Sequence, residues 1–533
     1  MNPLLHRTAL AGALFAACLG LLAPAVALAA APPSQAAKAA AEVAWLPAAS
    51  DADIERAFAQ ARAQGKPLLL YWGASWCPPC NQLKATLFNR QDFIERSRAF
   101  VPVHVDGDLP GAQKLGTRFK VRGYPTLILF NPAGAEITRL PGEADAPQVM
   151  QVLQLGMAGG RPVAAVLADA RAGKALSVSE WRMLAWYSWD TDDAQLVPEA
   201  DRAHELAALA RAAPANEPQI ATRLWLKALA ESDDAKGVKA DAALRERVMK
   251  VLADPAAARA QMDVLTNWPV EIARAITTQH AGGQRAQVVA AYDTALQRLE
   301  VDTTLSRADR MGALLGRIEL ARMDAPDDAK TVKLPPALVQ DVREHVARDD
   351  REITDGYERQ AVITTGAYAL RRAGLMSESD ALLKANLAKS HSPYYLMSAL
   401  ASNAKARGDK TEALRWYEEA YRTSQGPATR LQWGASYVNA LVELSPQDAA
   451  RIERAASALI ADAAKQPNAF YERSARSLQS AGRKLQTWNA NGAHADSIKR
   501  LQTQLAAVCA ALPAQDAQRN TCDALLHAKP AAG

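Results

Sequence analysis

The feature that most constrains this chain is the stretch from Lys66 to Phe88. There Lys-Pro-Leu-Leu-Leu-Tyr-Trp-Gly-Ala-Ser-Trp-Cys-Pro-Pro-Cys runs into Asn-Gln-Leu-Lys-Ala-Thr-Leu-Phe. Leu68 to Trp72 is a short apolar run with aromatic residues and reads as a buried strand. Gly73 to Ser75 is turn-like, and Pro78 falls where a first-turn proline costs a helix no hydrogen bond. The strand therefore delivers Cys77 to the N-cap of a helix or beside it, with Cys80 one turn later and close enough to pair. Unpaired N–H groups and aligned peptide dipoles favour an anion there, so a Cys77 thiolate is stabilised relative to a free cysteine.

A chain of 533 residues is too long for one core, so two or more domains are expected. With 49% hydrophobic and 22% charged residues it is globular material, and a net charge of +5 is too small to argue for nucleic acid. Residues 1–29 read as a signal peptide. His6 and Arg7 give a basic start, Thr8 to Leu22 is apolar, and Ala27-Leu28-Ala29 has the small residues a signal peptidase reads, with Ala31 an alternative end. A lipid anchor at Cys18 is the competing reading. No later run suits a membrane span, and an alanine- and proline-bearing linker at 30–41 precedes ordered structure at Trp45 to Pro47. Loss of the leader leaves Cys77, Cys80, Cys509 and Cys522. An exported chain lives where disulfides persist, so the near neighbours are expected to pair, Cys77 with Cys80 and Cys509 with Cys522.

From Asp51 the pattern predicts a helix to Gln64, the strand Leu68 to Trp72, the cysteine helix to about Asn89 and a buried strand Phe100 to Val105. A turn at 106–111, a helix Ala112 to Phe119, a hairpin of Leu127 to Phe130 with Glu136 to Leu140, and a helix Ala146 to Ala158 follow. That order, with Trp-Cys-x-x-Cys ending the first buried strand and Gly-Tyr-Pro-Thr before the hairpin, resembles the thioredoxin superfamily over Val43 to Ala158. The nearer likeness, through Trp45, Thr86-Leu87-Phe88 and Asp92-Phe93, is to the C-terminal domain of the periplasmic thiol:disulfide interchange reductant. The resemblance implies an α/β thioredoxin fold at 42–158 and makes Cys77 the attacking and Cys80 the resolving thiol. It also makes Pro125 a cis-proline beside the disulfide and gives Trp76, Tyr124, Pro125 and Thr126 contact with substrate. No cofactor beyond the dithiol is implied. The chain departs from the family at Tyr71, which falls on the usual buried aspartate, and its companion lysine falls near Pro102. Proton transfer at Cys80 must then use other groups or be slow. Pro78 and Pro79 lack N–H, so the Cys80 amide is the one nearby donor sure to remain for Cys77. This predicts a moderately acidified thiol and a pair nearer the reducing end of the family range.

From Gly159 onward alanine, leucine, arginine and glutamate dominate, and residues 159–533 read as all-helical. Hairpins are expected, with a candidate division near 324–336. Leu396 to Ser424 carries Ala401, Ala404, Gly408, Ala413, Leu414, Tyr417 and Ala420 where tetratricopeptide repeats place packing residues, and Gly374 repeats Gly408 thirty-four positions earlier. TPR-like repeats are thus expected at about 360–424. Elsewhere the pattern predicts helical pairs without a fixed period, at Ser177 to Trp189, Gln219 to Ala230, Asp241 to Ala253, Gln284 to Leu299, Arg307 to Arg322, Pro336 to Arg348, Ala449 to Ala464, Ala469 to Trp488 and Ala495 to Leu512. Stacked helical hairpins present extended surfaces that hold partners.

Cys77 and Cys80 also fit a static disulfide or half a zinc site, but zinc needs two more ligands and no second Cys-x-x-Cys or histidine pair supplies them. Cys509 and Cys522 lie outside any redox motif and read as a staple on the last hairpin. Trp181, Ala185 and Trp189 read as packing, His104 as a hydrogen-bonded strand residue, and Asp106 and Asp108 as turn residues. Arg371, Arg372, Arg454, Arg473 and Arg476 read as solvated helix faces. The function expected is that of an exported, periplasmic or secreted thiol:disulfide oxidoreductase that reduces a protein client, is itself reduced by a thiol donor, and uses the helical region to bind partners. Oxidase or isomerase is the next direction. The rival class is a helical scaffold whose thioredoxin-like domain turns over little.

Overall fold

Ser50 opens the first helix. Its hydroxyl accepts from the Asp53 amide, the Asp53 carboxylate accepts from the Ser50 amide at 2.9 Å, and Gly65 at φ 61° ends the helix. The resulting α1, Asp51–Gln64, has the bounds its capping residues dictate. The computed structural model describes residues 42–140, 142, 144–192, 195–232, 236–277, 282–326 and 332–527. The leader, Cys18, the spacer 30–41 and residues 327–331 of the candidate division lie outside them.

Five strands form one mixed sheet. These are β1 Leu46–Pro47, β2 Leu68–Gly73, β3 Val101–Asp106, β4 Thr126–Phe130 and β5 Glu136–Leu140. Their order is β1-β3-β2-β4-β5, parallel among the first three and antiparallel at β2/β4 and β4/β5. Every residue of β2 is buried because both faces of the sheet are covered. Leu68, Leu70 and Trp72 face a core with α1 and α4, Ala112–Phe119. Leu69 and Tyr71 face the opposite core, built from α2, Pro78–Leu83, its wider continuation Lys84–Phe88, and α5, Ala146–Met157. The sequence reading contained neither β1, which is two residues long, nor α3, Gln91–Arg96. The latter is under two turns and has no side-chain cap.

The remainder is helical, and its second part is a series of hairpins. In each of five successive hairpins the first helix faces the sheet domain. These inner helices are α6 Arg307–Arg322, α7 Gly356–Arg372, α8 Pro393–Arg407, α9 Pro427–Leu444 and α10 Glu472–Trp488. Their outer partners are Pro336–Glu352, Met376–Asn386, Lys410–Thr423, Ala449–Ala464 and Ala495–Ala510. Gly374 and Gly408 both sit at φ 82° just past α7 and α8, where a left-handed residue ends a helix, and the packing alanines Ala401, Ala404 and Ala413 are fully buried. The spacing Arg307 to Arg322 and Ala449 to Ala464 is matched residue for residue. The helix expected from Ser177 to Trp189 instead stops at Ala185, because the Trp189 indole donates to the Leu184 carbonyl at 3.1 Å and closes the turn. Trp181, Ala185 and Trp189 are buried together all the same. Cys509 and Cys522 form a buried disulfide between the last long helix and Gln518–Ala524, Cα atoms 5.7 Å apart. Among the described residues no helix is long and apolar enough to cross a membrane.

Candidate active site

β2 ends at Gly73, and Cys77 is the N-cap of α2, with extended backbone at φ −69° and ψ 115°. Its sulfur accepts from the Cys80 amide at 3.2 Å. Pro78 and Pro79 fill the first two helical positions and bring no N–H of their own. The Asn81 side chain, fully buried, donates to the carbonyls of Ser75 and Cys77 at 2.8 Å each and locks the turn that carries the cysteine. Cys77 and Cys80 are joined as a disulfide with Cα atoms 5.2 Å apart. Cys77 is 2% exposed and Cys80 fully buried.

One donor where a helix N-terminus offers two has a testable consequence. An N-cap side chain accepts from the second or third helical N–H, and Pro79 removes the second. In the reduced protein Pro79→Ala is expected to lower the Cys77 pKa by about one unit, since a hydrogen bond to a charged group contributes about 1.5 kcal/mol and one unit is about 1.4 kcal/mol. The pH dependence of alkylation at Cys77 reads it; an unchanged titration would remove the capping argument.

The Tyr124–Pro125 peptide bond is cis. The Tyr124 hydroxyl accepts from Gln113 Nε2 at 3.0 Å, and the same nitrogen donates to the Gly107 carbonyl at 2.7 Å. Any side chain at Gly107 would collide with the Tyr124 ring. Trp76, Cys77, Gly123 and Tyr124 share a cavity of about 420 Å³, and Pro125 opens on an adjoining one of about 250 Å³ across Pro79 and Tyr124. Thr126 lies behind them, almost fully buried, its hydroxyl donating to the Gly123 carbonyl at 2.8 Å.

Across the sheet Tyr71 pairs with His104, whereas Pro102 pairs with Leu69. His104 is thus the direct cross-strand neighbour of Tyr71, and Pro102 lies two residues earlier on the same strand. The two rings stack at 4.9 Å, the phenol finds no hydrogen-bond partner among the described residues, and burial pushes it far above its usual range. Burial also lowers the His104 pKa, against the pull of Asp106, and lowers that of Lys84.

All five inner helices close on this face. Asp309 of α6 accepts from Gln82 at 2.6 Å, and Tyr357 of α7 lies under the Lys84 ammonium at 5.1 Å. Tyr395 of α8 stacks on Trp76 at 5.9 Å, almost parallel. Asp108, read as a turn residue, is buried: one oxygen accepts from the Trp76 indole at 3.0 Å, the other from the Thr429 amide and hydroxyl of α9 at 2.9 and 2.5 Å. The carboxylate thus caps α9 from the other domain and fixes the tryptophan next to Cys77. A side chain at Gly426, where φ is 91°, would strike it. Burial raises the Asp108 pKa, opposed chiefly by the Thr429 hydrogen bond.

Arg473 of α10 departs from the solvated face expected of it. Its guanidinium lies 4.0 Å from the centre of the Trp76 ring and 5.5 Å from that of Tyr124, and its amide donates to Gln113 at 3.0 Å. Burial lowers its pKa, against the pull of Tyr124 and Asp108. Arg454 and Arg476 are exposed as expected, while Arg372 is a two-pronged partner of Glu319. Sequence reasoning missed Asp108, Tyr395, Thr429 and Arg473 as site residues. The one usable signal was Gly426-Pro427-Ala428-Thr429, a helix start with no acidic residue of its own in the first turn. Among the described residues no group of three His, Cys, Asp or Glu side chains is gathered as a metal site would need.

A thioredoxin-like domain family matches residues 54–156. The thiol:disulfide interchange protein DsbD of Pseudomonas fluorescens is 33% identical over 106 residues, 19% of this chain and 18% of that protein. DsbD 2 of Pseudomonas aeruginosa is 32% identical over 112 residues, 20% of this chain and 19% of its own, and DsbD of Yersinia pestis 35% over 99 residues, 18% and 16%. The chain thus spans less than a fifth of the length of these curated relatives. Oxidised thioredoxin O1 of Arabidopsis thaliana aligns at 21% identity over 20% of this chain and 94% of its own, with a TM-score of 0.17. Residues 54–156 are a thioredoxin-like domain homologous to part of the thiol:disulfide interchange proteins, with a Cys77–Cys80 disulfide that fits their Cys-x-x-Cys motif, and a large all-helical region follows it.

Proposed function

We propose that this chain is an exported thiol:disulfide oxidoreductase that reduces disulfides of client proteins, with the helical region holding the client. The observation that carries the reading is the Cys77–Cys80 disulfide at a helix N-cap, bordering a cavity whose wall includes Tyr124 of the cis bond to Pro125. In the reduced enzyme the Cys77 thiolate attacks one sulfur of the client disulfide. That S–S bond breaks, its other sulfur leaves with the electron pair and takes a proton from water, and Cys77 is joined to the client. The Cys80 thiolate then attacks the Cys77 sulfur and closes the enzyme disulfide. The second client thiolate is expelled and in turn takes up a proton, so two electrons have passed to the client. A dithiol donor restores the enzyme, and no organic cofactor or metal takes part. Reduction is favoured over oxidation by the single N–H that reaches the Cys77 sulfur, which limits stabilisation of the thiolate. Export to the periplasm or beyond rests on reading residues 1–29 as a leader.

Cys80→Ser tests this directly. With the resolving thiol gone, the mixed disulfide at Cys77 should accumulate with client proteins, be released by dithiothreitol, and be absent when Cys77 is also replaced. Absence of any adduct in the single variant would overturn the proposal. A second reading, a partner-binding scaffold with little turnover, is favoured by the near-complete burial of Cys77 under the inner helices. It predicts non-covalent partners and equal reduction rates for wild type and Cys77→Ser.

A further inference from the structure

A third cavity, about 530 Å³, adjoins the Trp76–Tyr395 stack and is walled by the inner helices α6 to α9. Its walls include Leu315 of α6, Thr364 and Tyr368 of α7, Ser398 of α8, and Gln432 and Trp433 of α9. It shares Trp76, Pro78, Pro79 and Tyr395 with the cavity beside Cys77, which in turn shares Pro79 and Tyr124 with the one over Pro125. Three cavities therefore run in series with Cys77 on the middle one. We infer that this run is a groove for one extended polypeptide segment bearing the reacting cysteine, laid along α6 to α9 and across Pro125. The inference rests on the exchange chemistry proposed above and names its substrate class.

Two observations favour such a segment. Cys77 is 2% exposed, with Tyr395 stacked on one face of the Trp76 environment and Arg473 close over the ring, so the surface of a folded domain cannot bring a disulfide to the sulfur while the helices stay docked. A single extended chain, about 5 Å across in the hydrogen-bonding direction, is the narrowest form a protein takes. The third cavity is walled mostly by aromatic and apolar side chains, with short hydroxyls between them, Thr365 included, and one charged residue, Arg371, a lining that suits a neutral backbone and varied side chains better than an ionic ligand. A small-molecule disulfide would fill the middle cavity alone and leave the flanking two without a role.

The test compares three probes in single turnovers of the reduced full-length protein. Each probe carries the same thionitrobenzoate mixed disulfide, on N-acetylcysteinamide, on a flexible linear peptide of about twelve residues, or on a surface cysteine of a small folded domain. Thionitrobenzoate release should be at least tenfold faster for the peptide than for the amino acid, and slowest for the folded domain. Ser398→Trp, which fills the third cavity, should bring the peptide-to-amino-acid rate ratio towards one, and Thr365→Trp should do the same from the facing helix. Equal rates for peptide and amino acid in the wild type would overturn the groove in favour of a small-molecule disulfide, and a folded domain as fast as the peptide would overturn it too. Those comparisons need no variant to fold. No release from any probe would instead sink the underlying exchange chemistry, and the groove with it.

Discussion

Cys77→Ser is expected to drop disulfide exchange to the rate seen without protein, while the fold is retained. The nucleophile in exchange is a thiolate, and a serine hydroxyl neither ionises in the relevant range nor forms a bond that Cys80 can resolve. Cys80 cannot stand in for it. Its sulfur is fully buried and, unlike Cys77, it is not on the wall of the cavity between Trp76 and Tyr124. The fold survives because the serine keeps an N-cap acceptor for the Cys80 amide, and the Asn81 amide still ties Ser75 to residue 77 through its carbonyl. The measurement is reduction of a peptide disulfide by equal amounts of wild type and variant, with near-ultraviolet circular dichroism to check that the aromatic residues keep their tertiary packing. Equal rates would show that the domain serves binding and not redox chemistry.

The parts of this molecule that were legible in the sequence are those whose cause is local. The strand, turn and helix around Cys77 follow from five apolar residues, a first-turn proline and a side chain able to cap, all within a dozen positions. α1 follows from Ser50, Asp53 and Gly65, and the ends of α7 and α8 from glycines that take positive φ. What was not legible is how the helical region meets the face that carries Cys77. Asp108 and Thr429 are 321 positions apart and Gln113 and Arg473 360, so neither periodicity nor spacing links them. An aspartate in an Asp-Gly-Asp turn and an arginine near the start of a polar helix look solvated until the fold brings each against Trp76.

That closure makes the helical region part of the surroundings of Cys77. Hairpins that merely followed the domain would leave Trp76 and Cys77 in solvent. Here a carboxylate of the domain caps α9, Arg473 of α10 lies over the tryptophan, and Glu472 is held at φ 42°, an uncommon conformation for a residue with a side chain, with Thr117 donating to it at 2.8 Å. Anchors lie on the far side as well, where Arg259 pairs with Asp145 at 2.6 Å and Gln148 donates to the Ala260 carbonyl at 2.9 Å. The helical region grips the domain from two sides, so the walls around Cys77 belong to both.

The largest stability effect is expected at a pair remote from the cysteines. Arg223, in the helix Pro218–Ala230, and Asp263, in Met262–Asn267, are both fully buried and meet through two parallel bonds of 2.9 and 2.5 Å. Arg223 Nε also donates to the Ala185 carbonyl at 3.0 Å, and its guanidinium stacks over Trp186 at 4.7 Å. Burial alone would raise the Asp263 pKa, but the attraction and hydrogen bonds of Arg223 outweigh it and hold the carboxyl below its ordinary value. A depressed folded pKa means that the stabilisation is present above the unfolded carboxylate range near pH 4 and is lost as pH falls through the folded value. Asp263→Ala leaves a guanidinium buried without its counter-charge and is expected to cost about 3–5 kcal/mol. Removing both charges is a different matter, since the desolvation penalty disappears with the attraction. Arg223→Met with Asp263→Leu should recover most of that loss, because well-packed apolar replacements of a buried pair are near neutral. Guanidinium unfolding of the three proteins at pH 7, followed at the first transition because a chain with several cores need not unfold in one step, decides the matter. A double variant as unstable as Asp263→Ala would mean that the cost lies in lost packing against Trp186 and not in the stranded charge.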